Sequence, residues 1–187
     1  MLNQENIFLL QRFTQIIEAL DDSQYTHTDP ALYNSSIGAH VRHVLDHYQA
    51  FVLGHTAGHI NYDQRAREQR LEVNRSEASA RIKSLIEALL PIDNFEQSIS
   101  VTMDTKLDAG PISAAEASAA SNSPVVAEAN PQLSSVGREL AFLHSHSIHH
   151  QALVGFILRA LKVAPPPDDF GVAPATLRHR EASRCAP

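Results

Sequence analysis

Apolar residues along this chain fall into a few strongly periodic blocks. Residues 2 to 21 place Leu2, Ile7, Leu9, Leu10, Phe13, Ile16, Ile17 and Leu20 in steps of three and four, with Gln, Glu and Arg between them, which predicts an amphipathic helix ending near Asp21 and Asp22. The stretch "SQYTHTDPALYNSS" is rich in turn formers and predicts a loop that leads to a new helix start at Ser35 or Ser36, either of which can cap through its hydroxyl. Ile37, Val41, Val44, Tyr48, Phe51 and Val52 then repeat at helical spacing until Gly54, so a second helix is expected over 36–53. A third is expected over 77–90, capped by Ser76 and closed by Pro91, with Ile82, Leu85, Ile86, Leu89 and Leu90 as its buried stripe.

The period then changes. "FEQSISVTMDT" alternates Ile99, Val101 and Met103 with polar residues, the signature of a half-buried strand. Residues 105–131 are dominated by Ala, Ser, Pro and Asn and predict a long flexible connection, in which "PVVAEA" is a candidate partner strand for 98–104. The last strong helix is expected over 135–163, stopped by Pro165, Pro166 and Pro167, with an irregular tail over 164–187 packing through Phe170 and Leu177. Four good helices in a chain of 187 residues predict a single all-α domain, a four-helix bundle with a long irregular insertion and a small β-hairpin between helices three and four.

Composition narrows the function. With 43% apolar and 19% charged residues the chain is expected to fold, and its net charge of −6 offers no basic footprint for a phosphate backbone, so nucleic acid is not an expected partner. No apolar run approaches the length of a bilayer span and the N-terminal residues lack the pattern of an export signal, so a soluble cytoplasmic protein is expected, without membrane contact. The single Cys185 cannot form an internal disulfide.

The candidate chemistry lies in histidine. "HSHSIHHQAL" sets four of the chain's 11 histidines within seven positions of the fourth helix. The stripe Leu143, His146, His150, Leu153, Val154, Ile157 and Leu161 turns His146 and His150 inward one turn apart, while His144 and His149 fall on other faces. Two imidazoles at i and i+4 can converge on one ion at about 2.0–2.1 Å from each nitrogen, and a third ligand must come from another helix. Hydrogen-bonded core histidines would show the same spacing, and spacing alone does not separate the two. The second helix carries His40, His43 and His47, of which His40 lies nearest the apolar stripe, His43 on its flank and His47 almost opposite, so periodicity favours His40 as the third ligand.

"SSIGAHVRHVLDHYQAF" followed by "FLHSHSIHHQALVGFIL" resembles the DinB-like (DinB/YfiT) superfamily of metal-binding four-helix bundles. The resemblance implies ligands in the register of one histidine from the first segment and the first and last of the H-x-x-H-H run in the second. That register implies His43, His146 and His150 as the metal ligands, with His40, His47 and His149 as substitutes or supporting residues. Ser35 stands where an aromatic residue is usual. "INYDQRAR" and "DFGVAPATLRH" are similar to stretches of a bacterial branch of the superfamily, which makes Tyr62, Asp63 and Arg65 candidates for the rim of the site.

Three histidines leave an open coordination position, as in catalytic zinc sites, and zinc and nickel suit imidazole best, with iron also compatible. Ser147 stands where the HExxH motif would place its glutamate, which excludes that protease mechanism. The resemblance implies a thiol-dependent transferase or isomerase and a homodimer, and an open metal position also suits a metal-dependent hydrolase, in either case acting on a small-molecule substrate. The competing expectation is a non-catalytic structural or stress-related metal-binding bundle that acts through dimerisation.

Overall fold

A computed structural model of the protein describes residues 1–32, 34–103, 131–163 and 166–184. Four long helices form the frame: α1 (Leu2–Ala19), α3 (Ile37–Ala57), α5 (Arg75–Leu89) and α6 (Val136–Ala160). They pack as a ring in which α1 touches α5 and α6, and α3 touches the same two, so the chain forms a four-helix bundle. Short pieces fill the corners: α2 (Asp22–Thr26), a 3₁₀ turn at Pro30–Leu32 and α4 (Arg70–Val73). Their apolar faces meet in one core that includes Leu10, Phe13, Leu45, Phe51, Ile82, Leu140 and Val154.

The ends of these helices follow local chemistry. Ser36 caps α3 by accepting from the amide of Ala39 at 3.0 Å. The α5 cap is Asn74, accepting from the Glu77 amide at 3.1 Å, not the expected Ser76; Asn is as good a cap, and it starts the helix earlier at Arg75. The α3 helix continues past Gly54 to Ala57, where Gly58 adopts a left-handed φ of 75° and closes it. Within the expected loop after α1, Asp21 and Gln24 form a capping box that nucleates α2. The tail is also more regular than expected, since α7 (Pro174–Arg184) forms an exposed helix. It follows Phe170, which packs edge-on to Phe13 at 6.4 Å between ring centres.

A three-stranded sheet sits at one end of the bundle in the order β1 (His59–Asn61), β2 (Ser98–Thr102), β3 (Gln132–Ser135). The strand expected around Ile99 and Val101 is present as β2. Its antiparallel partner is β3, in the register Ile99↔Ser134, and β1 pairs parallel to it on the other side, with Ile60↔Val101. The connection expected over 105–131, apart from Pro131, and the candidate strand "PVVAEA" lie outside the described residues. β3 runs directly into α6 through the cap Ser135, which accepts from the Arg138 amide at 3.2 Å, so the sheet sets the axial position of the histidine-bearing helix. Among the described residues no helix is long and apolar enough to cross a membrane.

Candidate metal centre

The centre lies between α3 and α6. Its floor is a buried polar link in which the Tyr48 hydroxyl donates to Asn6 Oδ1 at 2.6 Å and meets Ser147 Oγ at 3.1 Å, while Asn6 Nδ2 donates to the Leu140 carbonyl at 3.1 Å. These bonds join α1, α3 and α6 and fix the rotation of α6. Ser147 and Gln151 therefore occupy its buried face, whereas Leu153, expected in the stripe, is half-buried. His150 is buried and His146 half-buried, both turned toward α3.

Three rings converge there. One ligating atom from each of His43, His146 and His150 lies within 4.8 Å of the others, a grouping that could hold a metal ion. The Nε2 atoms of His43 and His146 stand 3.1 Å apart. Two nitrogens bound at about 2.0–2.1 Å to one ion are roughly 2.9 Å apart at a right angle and roughly 3.3 Å apart at the tetrahedral angle, so this spacing fits a shared cation. Without one, the two nitrogens can share only a single proton, and Nδ1 of His146 is buried with no hydrogen-bond partner among the described residues.

The supporting histidines occupy distinct places. Nδ1 of His40 lies 3.0 Å from Nδ1 of His150, and His40 falls outside the group of three, at a place from which it can orient the His150 ring. The helical stripe had favoured His40 as the third ligand. His40 is one turn nearer the start of α3, and the structure instead places His43 opposite His146. His47, expected almost opposite the apolar stripe, is buried at 5% exposure, because β1, the following loop and α4 cover the outer side of α3. Its Nδ1 faces the His43 carbonyl at 2.7 Å and must carry the proton, which leaves Nε2 to accept from Arg65 Nη1 at 3.1 Å. The His47 lone pair is thus engaged by Arg65, although its ring packs 4.3 Å from that of His146. His149 is exposed and touches only the edge of His150 among the rings of the centre.

Of the three rim candidates, Arg65 reaches the cluster. Tyr62 does not line a mouth: it is fully buried behind His47 and Phe142, with its hydroxyl donating to Glu139 Oε2 at 3.0 Å. Asp63 shapes the loop, its amide donating to Asn61 Oδ1 at 2.9 Å. Sequence reasoning missed Phe142, which stacks on His146 with centroids 5.6 Å apart and planes at 18°, and Glu139, whose carboxylate also accepts from Ser134 Oγ at 2.6 Å. The available signal for Phe142 was its position four residues before His146, on the same helix face.

The environment keeps the rings neutral. Burial pushes the pKa of His43 down to about 4, those of His47 and His146 to about 3 and that of His150 to about 2, and it lowers that of His40. The Arg65 charge acts in the same direction on His43, His47 and His146. Neutral imidazole is the form that ligates a cation, so donor type, protonation and spacing all suit a metal.

The profile of the DinB superfamily matches residues 8–154, a span containing α3 and α5 whole, the larger part of α1 and α6, and all three converging histidines, and the chain belongs to that superfamily. Searches of curated proteins and of solved structures found no match.

Proposed function

We propose that this member of the DinB superfamily holds a divalent transition metal on His43, His146 and His150 and uses it on a small-molecule substrate. The observation that carries the reading is the approach of three neutral rings from two helices, with the His43 and His146 nitrogens at the spacing of two ligands on one ion. Zinc or nickel is best matched to imidazole, with iron also compatible.

Three protein ligands leave a coordination position, and the metal supplies there the acidification of a bound thiol or water. The function proposed is accordingly that of a metal-dependent transferase using a small thiol, or of a hydrolase. The protein's own residues hold and shape the position. His40 orients His150, Arg65 and the His43 carbonyl orient His47, and the Phe142 ring covers one face of His146. A homodimer in the cytoplasm belongs to the same proposal, and sedimentation of the purified protein tests the dimer.

The test is elemental analysis of protein purified without a His tag or added metal, beside His43→Ala. About one ion per chain in the wild type and its loss in the variant support the reading; metal-free protein in both, with none taken up on titration, overturns it.

A further inference from the structure

Arginine side chains inside this fold are held by carboxylates. Arg12 pairs with Asp169, Arg42 with Asp46 and Glu72, Arg75 with Asp22 and Arg81 with Glu68. Among the described residues one other arginine, Arg65, is as withdrawn from solvent as these, being half-buried. Its contacts are the neutral His47 Nε2 and the Tyr62 carbonyl, both met by Nη1. No carboxylate of a described residue forms an ion pair with it, and Asp46 and Asp63 act on it from further away. A desolvated guanidinium with neutral acceptors on one nitrogen retains a fork of donors suited to an anion.

Arg65 is also placed by construction. Asn61 Oδ1 accepts from the amides of Asp63 and Gln64 at 2.9 and 3.1 Å, which turns the chain after β1 and brings residue 65 back over α3. There it bonds to His47, whose ring is 4.5 Å from His43 and 4.3 Å from His146. The guanidinium therefore stands one imidazole away from the three-histidine centre. It also lines a surface cavity of about 360 Å³ with Asp46, Gln49, Asn61 and Gln64.

We propose that Arg65 binds the carboxylate of a small anionic ligand whose other end occupies the three-histidine centre, making it the residue that selects acidic over neutral ligands. This rests on the metal reading above. A planar guanidinium meets a carboxylate through paired charge-assisted hydrogen bonds, which a neutral amide of the same shape cannot match.

The experiment uses the full chain loaded with cobalt(II), titrated with 3-mercaptopropionate and with its neutral analogue 3-mercaptopropionamide, the thiolate-to-cobalt absorption reporting binding. The quantity compared is the ratio of the two affinities in the wild type and in R65Q. Loss of a charged hydrogen bond predicts that R65Q lowers the acid's advantage about tenfold or more while retaining cobalt. An unchanged ratio in a cobalt-loaded R65Q overturns the role of Arg65 and leaves the metal reading standing. Failure of the wild type to bind cobalt removes both.

Should R65Q lose its cobalt, chemical protection of the wild type decides. Modification of Arg65 by phenylglyoxal, followed by peptide mass, is expected to slow severalfold with the acid but not with the amide at equal cobalt occupancy. Equal rates overturn the proposal.

Discussion

His43 on α3 and His146 on α6 face each other through their Nε2 atoms at 3.1 Å, although they lie 103 positions apart in the chain. Each is the other's nearest polar partner at that edge, and neither is readily protonated there. Replacing either leaves a buried lone pair or N–H with nothing to meet. His43→Ala and the double variant His146→Ala/His150→Ala are therefore expected to lose stoichiometric metal by elemental analysis, with helical far-ultraviolet dichroism retained because the apolar core is untouched.

His40 should behave differently. It touches His150 from outside the converging group, so its removal frees the His150 ring without deleting a ligand. His40→Ala is expected to weaken metal affinity by roughly 10–100-fold without abolishing binding, as for other supporting partners of a metal ligand. Competition against a chelator of known strength measures this. A loss as complete as that of His43→Ala would make His40 a ligand in its own right.

Acid should destabilise the metal-free protein through the same rings. Their ordinary pKa is 6.5, and folding lowers it to about 4 for His43, about 3 for His47 and His146 and about 2 for His150. Below 6.5 the unfolded chain takes up protons that the folded one refuses, so stability is full above that value and declines as pH falls toward 4. Urea midpoints measured between pH 8 and 4.5 should show this fall, with a smaller slope in His47→Gln. The loaded protein should release metal over the acid range, since a proton competes for each ligating nitrogen.

Close packing beside the centre offers a stability test. A Cβ on Gly38 would lie 2.0 Å from the Glu72 carbonyl oxygen, where α4 crosses α3. Gly38→Ala must push α4 away, with a cost of about 1–3 kcal/mol or more for overpacking. Glu72 also pairs with Arg42, so the displacement should disturb that ion pair. Thermal unfolding of Gly38→Ala beside Gly58→Ala, whose Cβ meets nothing within 4 Å but whose φ is left-handed, separates crowding from backbone strain.

Beneath the rings, Tyr48→Phe removes the hydroxyl that satisfies Asn6 Oδ1. A buried acceptor left without its donor costs about 1–3 kcal/mol, so denaturant unfolding should show a loss of that order. Because the same hydroxyl meets Ser147, some metal affinity should be lost with it.

The helices were legible from the chain because burial of an amphipathic face imposes its period locally: the stripes of α1, α3, α5 and α6 appear as repeats of three and four, and Ser36 and Ser135 mark two of their starts. The i, i+4 pair His146 and His150 was visible for the same reason. The third member was not decided by period, since His40, His43 and His47 share one helix and a stripe shows only which side is apolar. Tertiary packing decided it by setting α6 antiparallel against α3, so that His43 meets His146 while His40 meets His150. Packing also made His47 an interior residue, brought Tyr62 and Phe142 against the rings, and left Arg65 beside them with no ion pair to a carboxylate among the described residues. Each of these depends on contacts between distant segments, which local periodicity does not encode.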